Sequence, residues 1–188
     1  DHVLDGGGLA NLSASVATVA ATAAIGIYDV PKVDVTTVAQ HSRGVTAGSM
    51  RGYGTLQTMT ALEVLVDEAA AALPLDPIEF RRRNALKPNG RTMTGNPYSV
   101  SVRTTEILDK LEAHPIWQRR AQEKSQARSG RLVGTGLACV TKDYGSGADC
   151  TQGRVEIDAD GRITIYCDHV EMGNGIGTAL ANRVAGHL

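Results

Sequence analysis

Two short stretches combine residue types suited to holding a ligand against the main chain. The first is Ser49-Met50-Arg51-Gly52-Tyr53-Gly54, the end of an eleven-residue run from Gly44 that contains four glycines. Glycine lets backbone come close to a bound group, Arg51 offers a fixed cationic fork, and Tyr53 offers an aromatic wall for a planar substrate. An arginine in such a turn serves equally well as a loop anchor. The second stretch is Glu171-Met172-Gly173-Asn174-Gly175, which lies between a predicted strand and a predicted helix. The N–H groups ahead of a helix have no intrahelical partner and its dipole favours an anion, so a phosphate or another hydrogen-bond acceptor can dock there. A tight strand-to-helix turn accounts for Gly-x-Gly as readily. The spacing is neither that of a nicotinamide-binding fingerprint nor that of a P-loop.

Other chemistry-bearing residues are scattered. The five histidines, at 2, 41, 114, 169 and 187, lack any metal-ligand spacing such as HExxH. His169 reads best as a hydrogen-bonded histidine at a strand end. Cys139, Cys150 and Cys167 form no CxxC and cannot all pair, which points to reduced thiols in a cytoplasmic setting; a periplasmic one with an upstream export signal is also compatible. Neither a nucleophile elbow nor a paired-carboxylate site stands out.

The elements that must position these loops follow from periodicity. Ala10 to Gly26 is rich in small residues and suits a closely packed helix, and the alternation of Val33, Val35 and Val38 favours a strand over Lys32 to Gln40. From Leu56, the positions Met59, Leu62, Leu65, Val66 and Ala69 predict an amphipathic helix with Glu63, Asp67 and Glu68 on its outer side. Asp76-Pro77-Ile78-Glu79 predicts a capped short helix over Pro77 to about Ala85, with Leu75 able to staple to Phe80. Lys87 to Ser99 reads as a loop. A helix beginning near Ile107 is interrupted at Pro115, and Trp117 to Arg128 continues as an exposed, charged helix. The character changes at Ser129-Gly130: Arg131 to Thr141 is strand-like, and Arg154 to Asp158 with Arg162 to Tyr166 flank an Asp160-Gly161 turn as a hairpin. Ile176, Ala179, Leu180 and Val184 give a last helix one inward face.

Composition narrows the class. With 188 residues, 42% hydrophobic and only 4% aromatic, the core must be built from Ala, Val, Leu and Ile. A net charge of −1 and a single basic run, Arg81-Arg82-Arg83, argue against nucleic-acid binding, and the apolar stretch Ala14 to Ile27 is too short and too interrupted to span a bilayer.

The landmarks also occur in a definite order. Leu4-Asp5-Gly6-Gly7-Gly8, Tyr28-Asp29-Val30-Pro31, Met50-Arg51-Gly52-Tyr53-Gly54 with Gln57, Leu75-Asp76-Pro77-Ile78-Glu79-Phe80-Arg81-Arg82-Arg83-Asn84, the hairpin and Glu171-Met172-Gly173-Asn174-Gly175 follow one another. Over essentially its whole length, the chain resembles an internal part of the large, molybdopterin-binding subunit of the xanthine dehydrogenase and aldehyde oxidase family of molybdenum hydroxylases.

The resemblance implies an α+β piece with two sub-regions, 1–128 and 129–188. It implies an enzyme that hydroxylates an aldehyde or N-heterocycle with oxygen from water at a molybdenum–molybdopterin dinucleotide. Electrons leave to iron–sulfur clusters and usually FAD on other domains or subunits. Carried over, Arg51 and Tyr53 would be catalytic, Arg51 beside the metal and Tyr53 in the substrate pocket. Met50 and Gly52 in the first loop, and Met172, Gly173, Asn174 and Gly175 in the second, would bind the cofactor. No residue here is expected to ligate the metal. Asn174 stands where the family commonly has Gln, one methylene longer, and around Lys142 to Cys150 only Tyr144 could supply a stacking aromatic. The family's general-base Glu lies near the end of a much longer chain, so residues 1–188 are expected to bind no cofactor and to be inactive alone. The rivals are a non-catalytic folding or dimer-contact segment of such a complex, and a nicotinamide-binding domain, which the missing strand-GxGxxG-helix unit disfavours.

Overall fold

The computed structural model describes residues 1–9, 11–98, 101–125, 130–142 and 152–187. It is an α+β chain of two compact units, Asp1–Lys142 and Asp143–Leu188. In the first, β1 (His2–Asp5) pairs in parallel with β2 (Thr37–Gln40), in the register His2 with Thr37 to Asp5 with Gln40. Parallel strands need a crossover, and α1 (Ser13–Thr22) provides it. The strand expected over Lys32 to Gln40 is thus confined to its last four residues, and its partner β1 carries too few residues to announce itself by alternation.

The longest helix, α2 (Thr55–Ala72), packs on α1. Val16, Ala17 and Ala20 of α1 are buried with Met59 of α2, and the Thr58 hydroxyl donates to the Ala20 carbonyl at 3.1 Å. Small residues on α1 permit this approach. The buried stripe of α2 follows the expected one at Met59 and Val66, with Leu62 and Ala69 half-buried, and departs from it at Glu63 and Leu65. It runs through Thr55, Thr58, Met59, Glu63, Val66 and Ala70, while Leu65 faces out at 61% exposure.

The reason lies in α3 (Pro77–Asn84), whose Arg81 is fully buried. Arg81 donates through Nε and one terminal nitrogen to Glu63 at 3.0 and 2.7 Å, and through the other to Asp67 at 2.8 Å and to the Pro77 carbonyl at 3.2 Å. Glu63 also accepts from the Tyr28 hydroxyl and, at 2.7 Å, from the Cys139 N–H. A buried ion pair is tolerable only when its remaining donors and acceptors are satisfied. Among the described residues no buried side-chain nitrogen or oxygen lacks a partner. Burial works against the charge of Arg81, but its bonds to Glu63 and Asp67 outweigh that and raise its pKa further. Burial and the Glu63 carboxylate likewise raise the pKa of Tyr28.

Asp76 caps α3 as expected, accepting from the N–H groups of Ile78 and Glu79, and its other oxygen binds Arg120 at 2.6 Å. Arg82 ties α3 to α4 (Thr104–Glu112) through Asp109 and Glu112. Pro115 opens α5 (Pro115–Ser125), filling the first helical turn where its missing N–H costs nothing. That helix is anchored rather than wholly exposed: Trp117 is buried with Ile78, Ala85 and Leu108, and Arg120 lies 4.1 Å over its ring.

Residues 131–142 form no strand pairing, contrary to expectation. Thr135, Leu137 and Cys139 nevertheless turn inward alternately. Their main chain is held by side chains instead of a ladder: the Leu137 carbonyl accepts from Arg81 at 3.3 Å, and the Cys139 N–H meets Glu63. Leu137 and Cys139 pack on the first unit's core, so the division between compact units falls after Lys142. Ser129, where the sequence changes character, lies outside the described residues.

The second unit contains an antiparallel hairpin, β3 (Gly153–Ile157) with β4 (Ile163–Cys167), and α6 (Ile176–Ala185). The hairpin closes through Asp158 N–H to the Arg162 carbonyl and Gly161 N–H to the Asp158 carbonyl, both at 2.9 Å, as the Asp-Gly turn requires. On α6, Ile176, Leu180 and Val184 are half-buried along one face, and Ala179 is exposed.

Candidate functional site

The first loop is built from both ends. Its upstream part is seated on the turn after β1: Ala47 N–H donates to the Gly6 carbonyl at 3.2 Å, Ser42 N–H to the Gly7 carbonyl at 3.1 Å, and Asp5 accepts from Gly7 N–H at 2.8 Å. Hydrogen bonds from Ser42 and Gly7 hold the Asp5 carboxyl below its ordinary range. Downstream, Tyr53 N–H closes on the Met50 carbonyl at 2.8 Å and Thr55 N–H on Gly52 at 3.0 Å, so the turn runs directly into α2.

Gly54 is the fixed point of that junction. It takes φ +97° at the N-cap, and a side chain there would collide with the Val16 carbonyl and crowd Ala20 of α1. Tyr53 itself has φ +48°, a left-handed conformation costly for an aromatic residue and held by its glycine neighbours. Arg51 and Met50 are exposed, while Gly52 and Tyr53 are half-buried. Met50, Arg51, Gly52 and Tyr53 therefore share one strained turn at the head of α2.

The second loop uses the same device in the other unit. Gly175 is the N-cap of α6 at φ +73°, with no side-chain cap, and open space lies where a Cβ would be. Met172, Gly173, Asn174 and Gly175 are all exposed between β4 and α6. The N–H groups expected to be open are occupied, however. Glu171 turns back and accepts from Gly173 at 2.7 Å and Gly175 at 3.1 Å through one oxygen, and from Gly177 at 3.5 Å through the other. These bonds, Gly175's foremost, hold its carboxyl below the ordinary range. The N–H groups that the sequence leaves open to a ligand are thus met by a carboxylate of the chain itself.

Nearby, His169 follows β4 and binds Asp168 at 2.9 Å, and Asp168 also accepts from Gln152 N–H at 3.3 Å. Cys139 is half-buried, and burial pushes its thiol up to about 11, so it is no nucleophile at neutral pH. No group of three or more His, Cys, Asp or Glu that could hold a metal occurs among the described residues. Tyr144 and Cys150 lie outside them. No helix among the described residues is long and apolar enough to cross a membrane.

Two features escaped sequence reasoning. Glu63 sits at a position that apolar spacing assigns to the outer face, and its partner Arg81 is 18 residues away. No local signal connects them. Glu171 carried one usable signal, an acid just ahead of glycines at a helix start, which is the arrangement that satisfies a helix N-terminus from within.

Comparison with known proteins agrees with the ordered landmarks. Models of the molybdopterin cofactor-binding domain match residues 1–85 and 110–188. The chain is 31% identical over 143 residues to a xanthine dehydrogenase molybdenum-binding subunit of Escherichia coli O157:H7, covering 74% of this chain and 19% of that one. It is 32% identical over 160 residues to an aldehyde oxidoreductase of Megalodesulfovibrio gigas, covering 81% of this chain and 17% of that protein. Its fold superposes on the crystal structure of the aldehyde oxidoreductase from Desulfovibrio desulfuricans with a TM-score of 0.67 and 22% identity, over 87% of this chain and 18% of that one. The chain thus spans about a fifth of the length of these relatives. It belongs to the molybdopterin-binding subunit family of the xanthine dehydrogenases and aldehyde oxidases.

Proposed function

We propose that these residues supply two ligand-facing loops of a molybdenum hydroxylase. In this reading the whole protein oxidises an aldehyde or an N-heterocycle with oxygen from water, and its cofactor is a molybdopterin dinucleotide. Iron–sulfur clusters and FAD on other domains or subunits carry the electrons away. When bound, the cofactor supplies the redox chemistry.

The observation that carries this reading is the shared construction of the loops. Each places a Met and two glycines directly before a helix whose N-cap is a left-handed glycine, and each leaves its tip exposed. A pterin presents a flat, largely neutral, hydrogen-bonding edge. Each loop, taken by itself, suits such an edge: the first through main-chain groups at Gly52, the second through those at Gly173 and the Asn174 amide, because the positions around them carry little side-chain bulk. Within the first loop, Arg51 and Tyr53 offer a substrate a cation for developing negative charge and a wall for a planar molecule. The fit does not extend to a phosphate at α6, where Glu171 is already bound.

The test uses the full-length protein produced in cells that make the cofactor. Gly173→Val should lower both molybdenum and pterin content, read by elemental mass spectrometry and by fluorescence of the oxidised pterin. Unchanged content would remove the second loop from the cofactor site.

A further inference from the structure

We propose that Glu171 is a positioning residue, whose carboxylate is the resident anion of the α6 N-terminus, fixing the Met172–Gly175 loop in its receptive shape and closing that end to any ligand phosphate. The proposal rests on the reading that this loop meets the cofactor.

Glu171 is exposed, so water was available to its carboxylate. It folds onto the main chain instead, and both oxygens are engaged, by Gly173 and Gly175 on one side and by Gly177 on the other. Glycine at every second position from 173 to 177 leaves this approach clear of Cβ atoms. The three N–H groups are those a phosphate would otherwise claim, because they lie at the positive end of the helix. An incoming phosphate would have to expel a group of its own charge from bonds already made, whereas a neutral pterin edge meets no such opposition. The loop is therefore ordered in advance, and ligand binding need not include the cost of ordering it.

Glu171→Gln, Glu171→Ala and Glu171→Asp in the full-length protein test this. Gln keeps the size of the side chain but not its charge, so Glu171→Gln should leave the melting temperature in place and reduce molybdenum and pterin retention on dialysis roughly tenfold, the scale for losing a group that orients a ligand's contacts. Glu171→Asp should recover part of the loss. Acetate in the dialysis buffer should restore retention to Glu171→Ala and leave the wild type unchanged, a rescue that a merely structural role does not produce. Wild-type retention in Glu171→Gln, or tighter retention in Glu171→Ala, overturns the proposal. Gly173→Val separates the two readings: if it loses cofactor while Glu171→Gln does not, only the role of Glu171 falls, and if neither loses it, the loop is not at the cofactor.

Discussion

Glu63 of α2 and Arg81 of α3 form a buried pair, with side chains 6% and 0% exposed, at 2.7 Å. Through the Tyr28 hydroxyl and the Cys139 N–H, the same carboxylate gathers the segments after α1 and before Lys142 around the helix that begins at the Arg51 loop.

Removing one member of this pair should cost far more than removing both. Arg81→Met leaves Glu63 charged and buried, and is expected to destabilise the protein by about 3–5 kcal/mol. Combining it with Glu63→Leu should recover much of that. Denaturant unfolding of the single and double variants checks the sign: an equal or larger loss in the double variant would mean that the pair itself is strongly stabilising.

Gly54→Ala should be poorly tolerated although it adds one methyl group. The left-handed φ alone costs about 1–2 kcal/mol, and the new Cβ meets the Val16 carbonyl. Thermal unfolding should show the loss, and cofactor content should fall with it as α2 and the Arg51 turn shift. A variant as stable as the wild type would show that α1 yields readily.

Arg51→Ala should lower turnover by roughly 10²-fold or more, the scale for one lost charge-stabilising donor, in enzyme that keeps its cofactor. Steady-state rates normalised to molybdenum content measure this. Near-normal turnover would exclude Arg51 from the reacting centre.

Asp76→Ala removes the α3 cap and the partner of Arg120, and is expected to cost about 1 kcal/mol, as cap removal usually does. Asp76→Asn keeps a capping oxygen and loses only the charge. If the two variants unfold alike, the Arg120 pair rather than the cap carries the contribution.

The Glu171 carboxyl, held below its ordinary range by the N–H groups of Gly175 and Gly173, sets a pH dependence. Its folded pKa is depressed, so its contribution to holding the loop is present above the unfolded value, near 4.5, and is lost as pH falls through the folded one. Amide exchange at Gly173 and Gly175, corrected for the intrinsic pH effect, should therefore accelerate below that range in the wild type and stay level with pH in Glu171→Gln. A level profile in both would mean that the carboxylate does not protect these amides.

Much of the local structure was legible in the residues. Asp76-Pro77 dictated a capped helix, Asp160-Gly161 a hairpin, and the clustered glycines two loops at helix starts, because each depends on contacts within a few residues. The order of those landmarks identified the family. The tertiary structure decided that Glu63 joins the buried face of α2, where Arg81 meets it, and it decided how residues 131–142 are held, by side chains in place of a ladder. It also decided that the α6 N-terminus is filled. A sequence shows that an acid stands near a helix start, but only the folded chain shows whether its carboxylate turns into water or back onto the amides of Gly173, Gly175 and Gly177, because a side-chain torsion makes that choice.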